Sequence, residues 1–504
     1  MKGKINMKND VNIVVKRDAN EVEKFAAQEL ANYLGMMTEK QICVTNESLD
    51  GSIYVGSSPD KEKSAFNDLM SLHSDSFIIR NVGNDVIIQG KTPRGTLYGV
   101  YEYLQKLGAR WYFPGKENEF IPKREEVLLK GINVKESPDM DHRSVVIYHW
   151  EDGFQDWIDF SAKTKLNAIH IHSNEGIDQM PDLVASRDLD FNIRRHFFGD
   201  KYSHGNVDDL EKNKALVTDY VSKLPSQLNE FFLWPADVVL LLGDKVKDWS
   251  ISDVVLSFTN EMSTAIRKLR PDARMSFLAY WSTWDAPKKV RPIESVFLEL
   301  AHIHQCFSHS IADPECPVNS KEVAPVIDDL LEIFDPSDTH VLGYWLDASL
   351  FGRGVYQELS GRLPTEGSIL QQDIKYYKNK GVTKISTFAV NLDRTYFSKF
   401  ASPSVFQYPA LLWDVDADLS TEVITFCENY YGDRSLQEIF NYTEQIDPRH
   451  NTPEQWNDLI QHLSSSGMIV IDVIKNTSSD VHILRLEKLL KEIAHLNKWI
   501  SKYH

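Results

Sequence analysis

At 504 residues, 42% hydrophobic and 25% charged, the chain is long enough for two or three globular domains and too apolar for extended disorder. Its 73 acidic against 55 basic residues leave a net charge of −18. No basic stripe is present to meet a phosphate backbone, so nucleic acid is not expected as a partner and the acidic balance reads as solubility. The opening MKGKINMKNDVNIVVKRD lacks the apolar core of a signal peptide, and no stretch reaches the roughly 20 apolar residues of a membrane span. A cytoplasmic protein is expected, or one whose leader has been removed, with no membrane partner.

In chain order, VNIVVK reads as a strand, and Asn20 to Leu34 carries Phe25, Leu30 and Leu34 at helical spacing. QICVTN and SIYVGS are strands, FIIRNVGNDVIIQG is a hairpin about an Asn-Asp turn, and Thr96 to Leu107 is a helix stopped by Gly108. These elements predict a small α+β domain over residues 1–125. The charged, proline-bearing stretch from Gly115 to Pro138 reads as the crossover to the next domain.

From His142 the pattern changes to apolar strands separated by helical stretches such as Ser252 to Leu269 and Glu366 to Asn379. The strands are RSVVIYH, NAIHIH, FNIRRHF, EFFLW, MSFLAY, VFLELAHI, HVLGYWL and TKISTFAV. Eight such units predict an α/β fold, a (β/α)8 TIM-type barrel over residues 126–418, because parallel strands need helices over their outer face. EFFLW and the nearby DVVLLLG compete for the fourth strand. Residues 419–504 read as a helical C-terminal region packed on the barrel.

Barrel enzymes carry their chemistry on the loops after the strands. In NAIHIH, alternation turns Ile169 and Ile171 to the helices and His170 and His172 to the barrel axis. His170 reads as a hydrogen-bonded core histidine and His172 as a site residue. The other strand ends offer His149 and Trp150, Arg195 and His196 followed by His204, Trp234, Tyr280 and Trp281, Tyr344 and Trp345, and Asn391. Aromatic faces and hydrogen-bonding side chains gathered at one end suit a sugar. Glycoside cleavage further needs two carboxyl groups, and Asp237 and Asp347 are the expected pair, since each follows an apolar strand and an aromatic residue. Asp244 takes the place of Asp237 if DVVLLLG is the fourth strand. An aspartate in this position commonly caps the next helix instead.

Four cysteines are too few for a disulfide scaffold. Cys306 and Cys316, with His309 and Asp313 between them, match no standard ligand spacing and read as structural thiols, so no metal is expected. Neither a dinucleotide fingerprint nor a P-loop occurs, and no cofactor is expected.

The stretches AAQELANYL, IYVGSS and DSFIIRNVGNDVIIQGKTPRGTLYGVYEYLQKLGARWYFPG resemble the N-terminal domain shared by α-glucuronidases and β-N-acetylhexosaminidases. LSFTNEMSTAIRKLRPDARMSFLAYWSTWDAP, CFSHSIADPECPVN, GYWLDASLF and YPALLWDVDADLSTEVITFCENYYG resemble an uncharacterised bacterial glycoside-hydrolase-like family, a domain of unknown function. The resemblance implies a barrel hydrolase. Two departures matter: the cysteine cluster that such proteins carry after the fourth strand is missing from WPADVVLLLGD, although Asp237 is kept, and the adjacent Asp-Glu pair of the hexosaminidases has no counterpart. The resemblance thus implies α-glucuronidase-like chemistry, with acid and base both supplied by the protein.

The expected function is therefore an exo-acting glycoside hydrolase on an oligosaccharide, the carboxylate of a uronic acid being met by Arg195, His149 and His204, with a homodimer as an open expectation. Two alternatives stand beside it: a carbohydrate-binding protein on a barrel scaffold, and a metal-dependent sugar-acid lyase or isomerase.

Overall fold

The computed structural model describes residues 11–47, 50–56, 67–148, 153–173, 175–198, 210–235, 248–350, 367–392, 394, 397, 402–443 and 452–503. By contacts the chain divides into two units: residues 1–139 with 156–167 and 182–190, and residues 140–155 with 168–181 and 191–504.

The first unit is built on a six-stranded sheet in the order β2-β1-β3-β5-β4-β8. Its strands are β1 (Asn12–Val15), β2 (Cys43–Thr45), β3 (Ile53–Val55), β4 (Phe77–Val82), β5 (Asp85–Gly90) and β8 (Asn133–Glu136); β6 (Arg110–Trp111) and β7 (Glu119–Phe120) pair separately. Helix α1 (Glu21–Thr38) starts where Asn20 accepts the Glu23 amide and buries Ala27, Leu30, Leu34 and Met37 along one stripe. Helix α2 (Pro93–Lys106) is capped by Thr92. Gly95 and Gly99, one helical turn apart, let it lie directly on the sheet. A Cβ on Gly95 would stand 2.7 Å from the Ser76 carbonyl oxygen, and one on Gly99 would stand 2.8 Å from Ile88. That close approach is the physical content of the PRGTLYG motif. The crossover stretch is not merely a connection: its Asn133–Glu136 segment becomes the edge strand β8, antiparallel to β4.

The same unit takes in most of α3 (Phe154–Lys163) and most of α4 (Met180–Ala185). Buried ion pairs hold this part together. Lys163 Nζ lies 2.6 Å from Glu119, and Lys165 Nζ lies 2.7 Å from Glu102, while the Asn167 amide donates to Asp75 at 3.1 Å.

In the second unit all eight strands expected from the sequence close into a parallel barrel: β9 (His142–Ile147), β10 (Ala168–Ile171), β11 (Asp190–Phe198), β12 (Glu230–Pro235), β13 (Arg274–Ala279), β14 (Val296–Leu300), β15 (His340–Gly343) and β16 (Lys384–Phe388). The fourth strand is therefore EFFLW, and DVVLLLG lies outside the described residues. The described outer helices are α5 (Leu210–Lys223), α6 (Ile251–Arg267), α7 (Ala324–Leu331), α8 (Gly367–Asn379) and α9 (Ser404–Trp413). Helical α10 (Leu419–Phe426), α11 (Gln437–Thr443), α12 (Pro453–Asn476) and α13 (Asp480–Tyr503) complete the C-terminal region, the last two packed together as a hairpin.

The barrel interior is unusually polar. Arg194, fully buried on β11, donates to His170 Nδ1 at 2.7 Å, to Glu299 at 2.7 Å and to Ser386 at 2.9 Å, and its guanidinium lies 4.2 Å above the Phe232 ring centre. His170 thus has the satisfied core position read from the sequence, and burial beside Arg194 pushes its pKa well down. Burial also lowers His340, and takes His302 down to about 4.

These imidazoles make the fold acid-sensitive. An unfolded histidine takes a proton near pH 6.5, whereas the buried ring refuses it until the lower folded value, so stability falls as pH drops below about 6.5. For His302 alone the loss is about 2 kcal/mol by pH 5. Buried Asp373, raised to about 6 by desolvation, works the other way: its contribution is full at low pH and is lost as pH rises through 6. With His170, His302 and His340 on one side against Asp373 and Glu299 on the other, the urea midpoint is expected to be lower at pH 5 than at pH 7; a higher midpoint at pH 5 contradicts this account.

Candidate active site at the barrel mouth

The C-terminal ends of the strands carry a cup of rings. His172, just past β10, stacks on Tyr148 at 4.9 Å and lies 5.4 Å from Trp234, 5.8 Å from His196 and 5.6 Å from Phe388. Tyr344 extends the cup by packing 5.5 Å from Phe388. The residues of this cup come from five strands or the residues just after them, β9, β10, β11, β12 and β16, with Tyr344 following β15.

The cup is held from below. Trp234 Nε1 donates to Glu299 at 2.7 Å, and Glu299 is paired to Arg194 in the barrel centre. Burial pushes the Glu299 carboxyl up in pKa, and the adjoining guanidinium pulls it back. A fully buried carboxylate that receives both an indole and a guanidinium hydrogen bond is a rigid support for the ring above it. His196 Nδ1 lies 2.6 Å from the Pro235 carbonyl oxygen, which fixes that imidazole beside Trp234.

Beyond β13, Trp281 is 52% exposed and lies 4.8 Å from the exposed His304 ring, with Tyr280 beside it. The Trp281 backbone has φ of 46°, a left-handed conformation that a bulky residue adopts only under local constraint. An exposed indole held in such a conformation has the form of a stacking platform. Asn391, after β16, is also left-handed at φ 60°, which asparagine tolerates more readily.

Asp347 follows β15 and is 6% exposed. Its Oδ1 accepts the Ser349 amide at 2.8 Å and the Ser349 hydroxyl at 2.7 Å, which orients the carboxylate within its turn. Asp237, Asp244, His149, Trp150 and His204 lie outside the described residues.

Two expected site residues point elsewhere, both for the same reason. Strand residues alternate between axis and helix layer. On β11 the inward set is Asn192, Arg194 and His196, so the Arg195 guanidinium faces outward and lies 5.8 Å from the Tyr220 ring on α5. After β15, Tyr344 turns inward and Trp345 outward. Trp345 is fully buried, donates to Asp373 on α8 at 2.9 Å, and folds over Gly343, where an added Cβ would meet its ring at 2.2 Å. Neither reaches the cup. Conversely, Arg194 and Glu299 were not singled out from the sequence. The signal was the one that identified His172: Phe191 and Ile193 mark the outer face of β11, which leaves Arg194 inside, and Val296, Leu298 and Leu300 do the same for Glu299.

A closed parallel barrel with rings and imidazoles gathered at its C-terminal end, preceded by a small α+β unit, is a fold that this chain shares with solved glycoside hydrolases. Residues 3–103 match the model for the glycosyl hydrolase family 67 N-terminus, and residues 241–329 match a domain of unknown function (DUF4838). Among solved structures, a family 115 4-O-methyl-α-glucuronidase with specificity for decorated arabinogalactans is similar at TM-score 0.64 and 13% identity, over 98% of this chain and 72% of that one. A family 138 enzyme targeting pectin rhamnogalacturonan II is similar at TM-score 0.59 and 10% identity, over 98% and 69%. The N-acetyl-β-hexosaminidase of Streptomyces plicatus is similar at TM-score 0.51 and 12% identity, over 86% and 91%. At these identities the likeness is one of fold. No curated protein matches the sequence. Among the described residues no helix is long and apolar enough to cross a membrane.

Proposed function

We propose that the protein is a glycoside hydrolase acting on an oligosaccharide or glycoside, α-glucuronidase-like, with its two catalytic carboxyl groups on Asp237 and Asp347 at the C-terminal rim of the barrel. The observation that carries the proposal is the cup of Tyr148, His172, His196, Trp234, Tyr344 and Phe388: the exposed Tyr148 ring for the apolar face of a pyranose, backed by the buried rings of Trp234, Tyr344 and Phe388, with half-buried imidazoles among them for its hydroxyl or carboxylate groups. In this reading one aspartic acid protonates the leaving oxygen while the other, ionised, acts as base or nucleophile. The glucuronidase character draws on the match of residues 3–103 and on the family 115 likeness. With Arg195 facing the helices, a uronate carboxylate would be received by His172 and His196.

The test is turnover on a panel of aryl glycosides that includes 4-nitrophenyl α-glucuronide, together with oligosaccharides from decorated arabinogalactan. Release of sugar from at least one is expected. Binding by calorimetry without turnover would favour the second reading, a non-catalytic carbohydrate-binding protein, which one observation supports: the Asp347 carboxylate already serves its own turn through Ser349, an ordinary structural use of aspartate. Neither binding nor turnover on the panel sinks both.

Trp281 offers a separate check. Trp281→Ala is expected to raise KM about tenfold, close to 1.4 kcal/mol, with kcat changed less than about twofold, and to cost less than about 1 kcal/mol of stability because the side chain is half exposed. A large loss of stability with unchanged KM would make the indole a packing residue.

A further inference from the structure

The loop after β14 brings together three side chains that the cup does not use. One ligand atom each from Cys306, His309 and Cys316 lies within 4.8 Å of the others, and both cysteines are buried. Cys306 Sγ is 3.2 Å from His309 Nδ1, and the Asn319 amide donates to Cys316 Sγ at 3.4 Å. Among the described residues this is the one group of three or more histidine, cysteine or acidic side chains with such mutual proximity.

From these contacts we propose that Cys306, His309 and Cys316 bind one zinc-class divalent ion, with water in the fourth position. The chemistry of the donor set favours it. In a tetrahedral zinc site, metal–sulfur and metal–nitrogen bonds of about 2.3 and 2.0 Å place the donors roughly 3.5–3.8 Å apart, so the observed cluster needs only small side-chain adjustments. On binding, the two thiols lose their protons to solvent. Two thiolates, a neutral imidazole and a dication sum to zero charge, which suits a buried position.

The scaffold around the ligands is also ordered in advance. Asn319, fully buried, accepts the Cys306 amide at 2.8 Å and donates to the carbonyl oxygens of Cys306, His309 and Ser310 at 2.9–3.0 Å. On the other side Asp373 receives Gln305, Ser310 and the Ile311 amide at 2.7–3.0 Å. Two buried polar hubs therefore fix the loop backbone on both sides of His309, and an amide donated to a ligand sulfur is the outer contact that thiolate–metal sites use. Sequence spacing hid the site because Cys306-x2-His309-x6-Cys316 follows no standard pattern; the fold, not the spacing, brings Cys316 back. The ion would staple the loop that carries His304, the partner of Trp281.

The test uses the full chain, reduced, stripped with chelator and titrated with Co(II), then Zn(II). Expected are a thiolate-to-cobalt charge-transfer band saturating at about one ion per chain, its displacement by zinc, and about one zinc per chain by elemental analysis. Cys316→Ser and His309→Gln, each with unchanged far-ultraviolet circular dichroism, should weaken zinc binding at least about tenfold. Absence of the charge-transfer band in the wild-type chain, which requires no variant to fold, overturns the proposal. So does a Cys306–Cys316 disulfide that persists in the metal-treated protein, or a folded Cys316→Ser variant with undiminished zinc affinity.

Discussion

Arg194→Met is expected to destabilise the protein by about 3–5 kcal/mol, because it leaves Glu299 ionisable, fully buried and stripped of its cation. Methionine fills much the same volume, so the effect is electrostatic rather than a cavity. The loss also removes the donor to His170 and the bond to Ser386, which tie two further strands to the same centre. Denaturant unfolding measures it directly. The double variant Arg194→Met with Glu299→Leu should recover a large part of the loss, since an apolar pair of similar volume carries no unpaired charge. The double variant would still lack the acceptor for Trp234 Nε1, so stability and binding should separate: the fold returns while sugar affinity does not. A single variant that costs under about 1 kcal/mol would mean the central pair contributes little.

Asp347→Asn is expected to lower kcat by roughly 10²–10⁴, the usual contribution of a positioned acid or base, while leaving the melting temperature nearly unchanged. The separation follows from geometry. Asparagine keeps an Oδ1 acceptor for the Ser349 amide and hydroxyl, so the turn survives and only the acid–base function is lost. Asp237→Asn should give a loss of similar size if the two carboxyl groups act as a pair, and the double variant should be little worse than either, because groups that act as a unit are not additive. Activity above about a tenth of wild type in both single variants would remove this pair from the mechanism.

The barrel was legible because its strands are short apolar runs separated by helical stretches. EFFLW could not be chosen over DVVLLLG from periodicity, since both are apolar runs of strand length. Within the site, alternation placed His170 and His172 correctly on the inner face. The same rule, applied to FNIRRHF and HVLGYWL, separates Arg194 from Arg195 and Tyr344 from Trp345; attention to strand ends rather than strand faces led to Arg195 and Trp345. Glu299 was obscured differently. It sits within an apolar strand, and a lone acid there gives no sign of its partner, which stands 105 positions earlier. The convergence of Cys306, His309 and Cys316 depends on the loop path set by Asn319 and Asp373, which no local spacing encodes.

The composition of the first unit bears on how the chain comes off the ribosome. Glu119 emerges long before its cation Lys163, Glu102 has Lys106 at hand but emerges long before its second cation Lys165, and Asp75 precedes its partner Asn167 by a still longer interval. Until about residue 190 has been synthesised, this unit lacks segments that belong to it. Its completion must therefore wait for the nascent barrel to begin, and a fragment cut at residue 139 would carry Glu119 without Lys163 and would leave Glu102 with Lys106 as its one remaining cation among the described pairs.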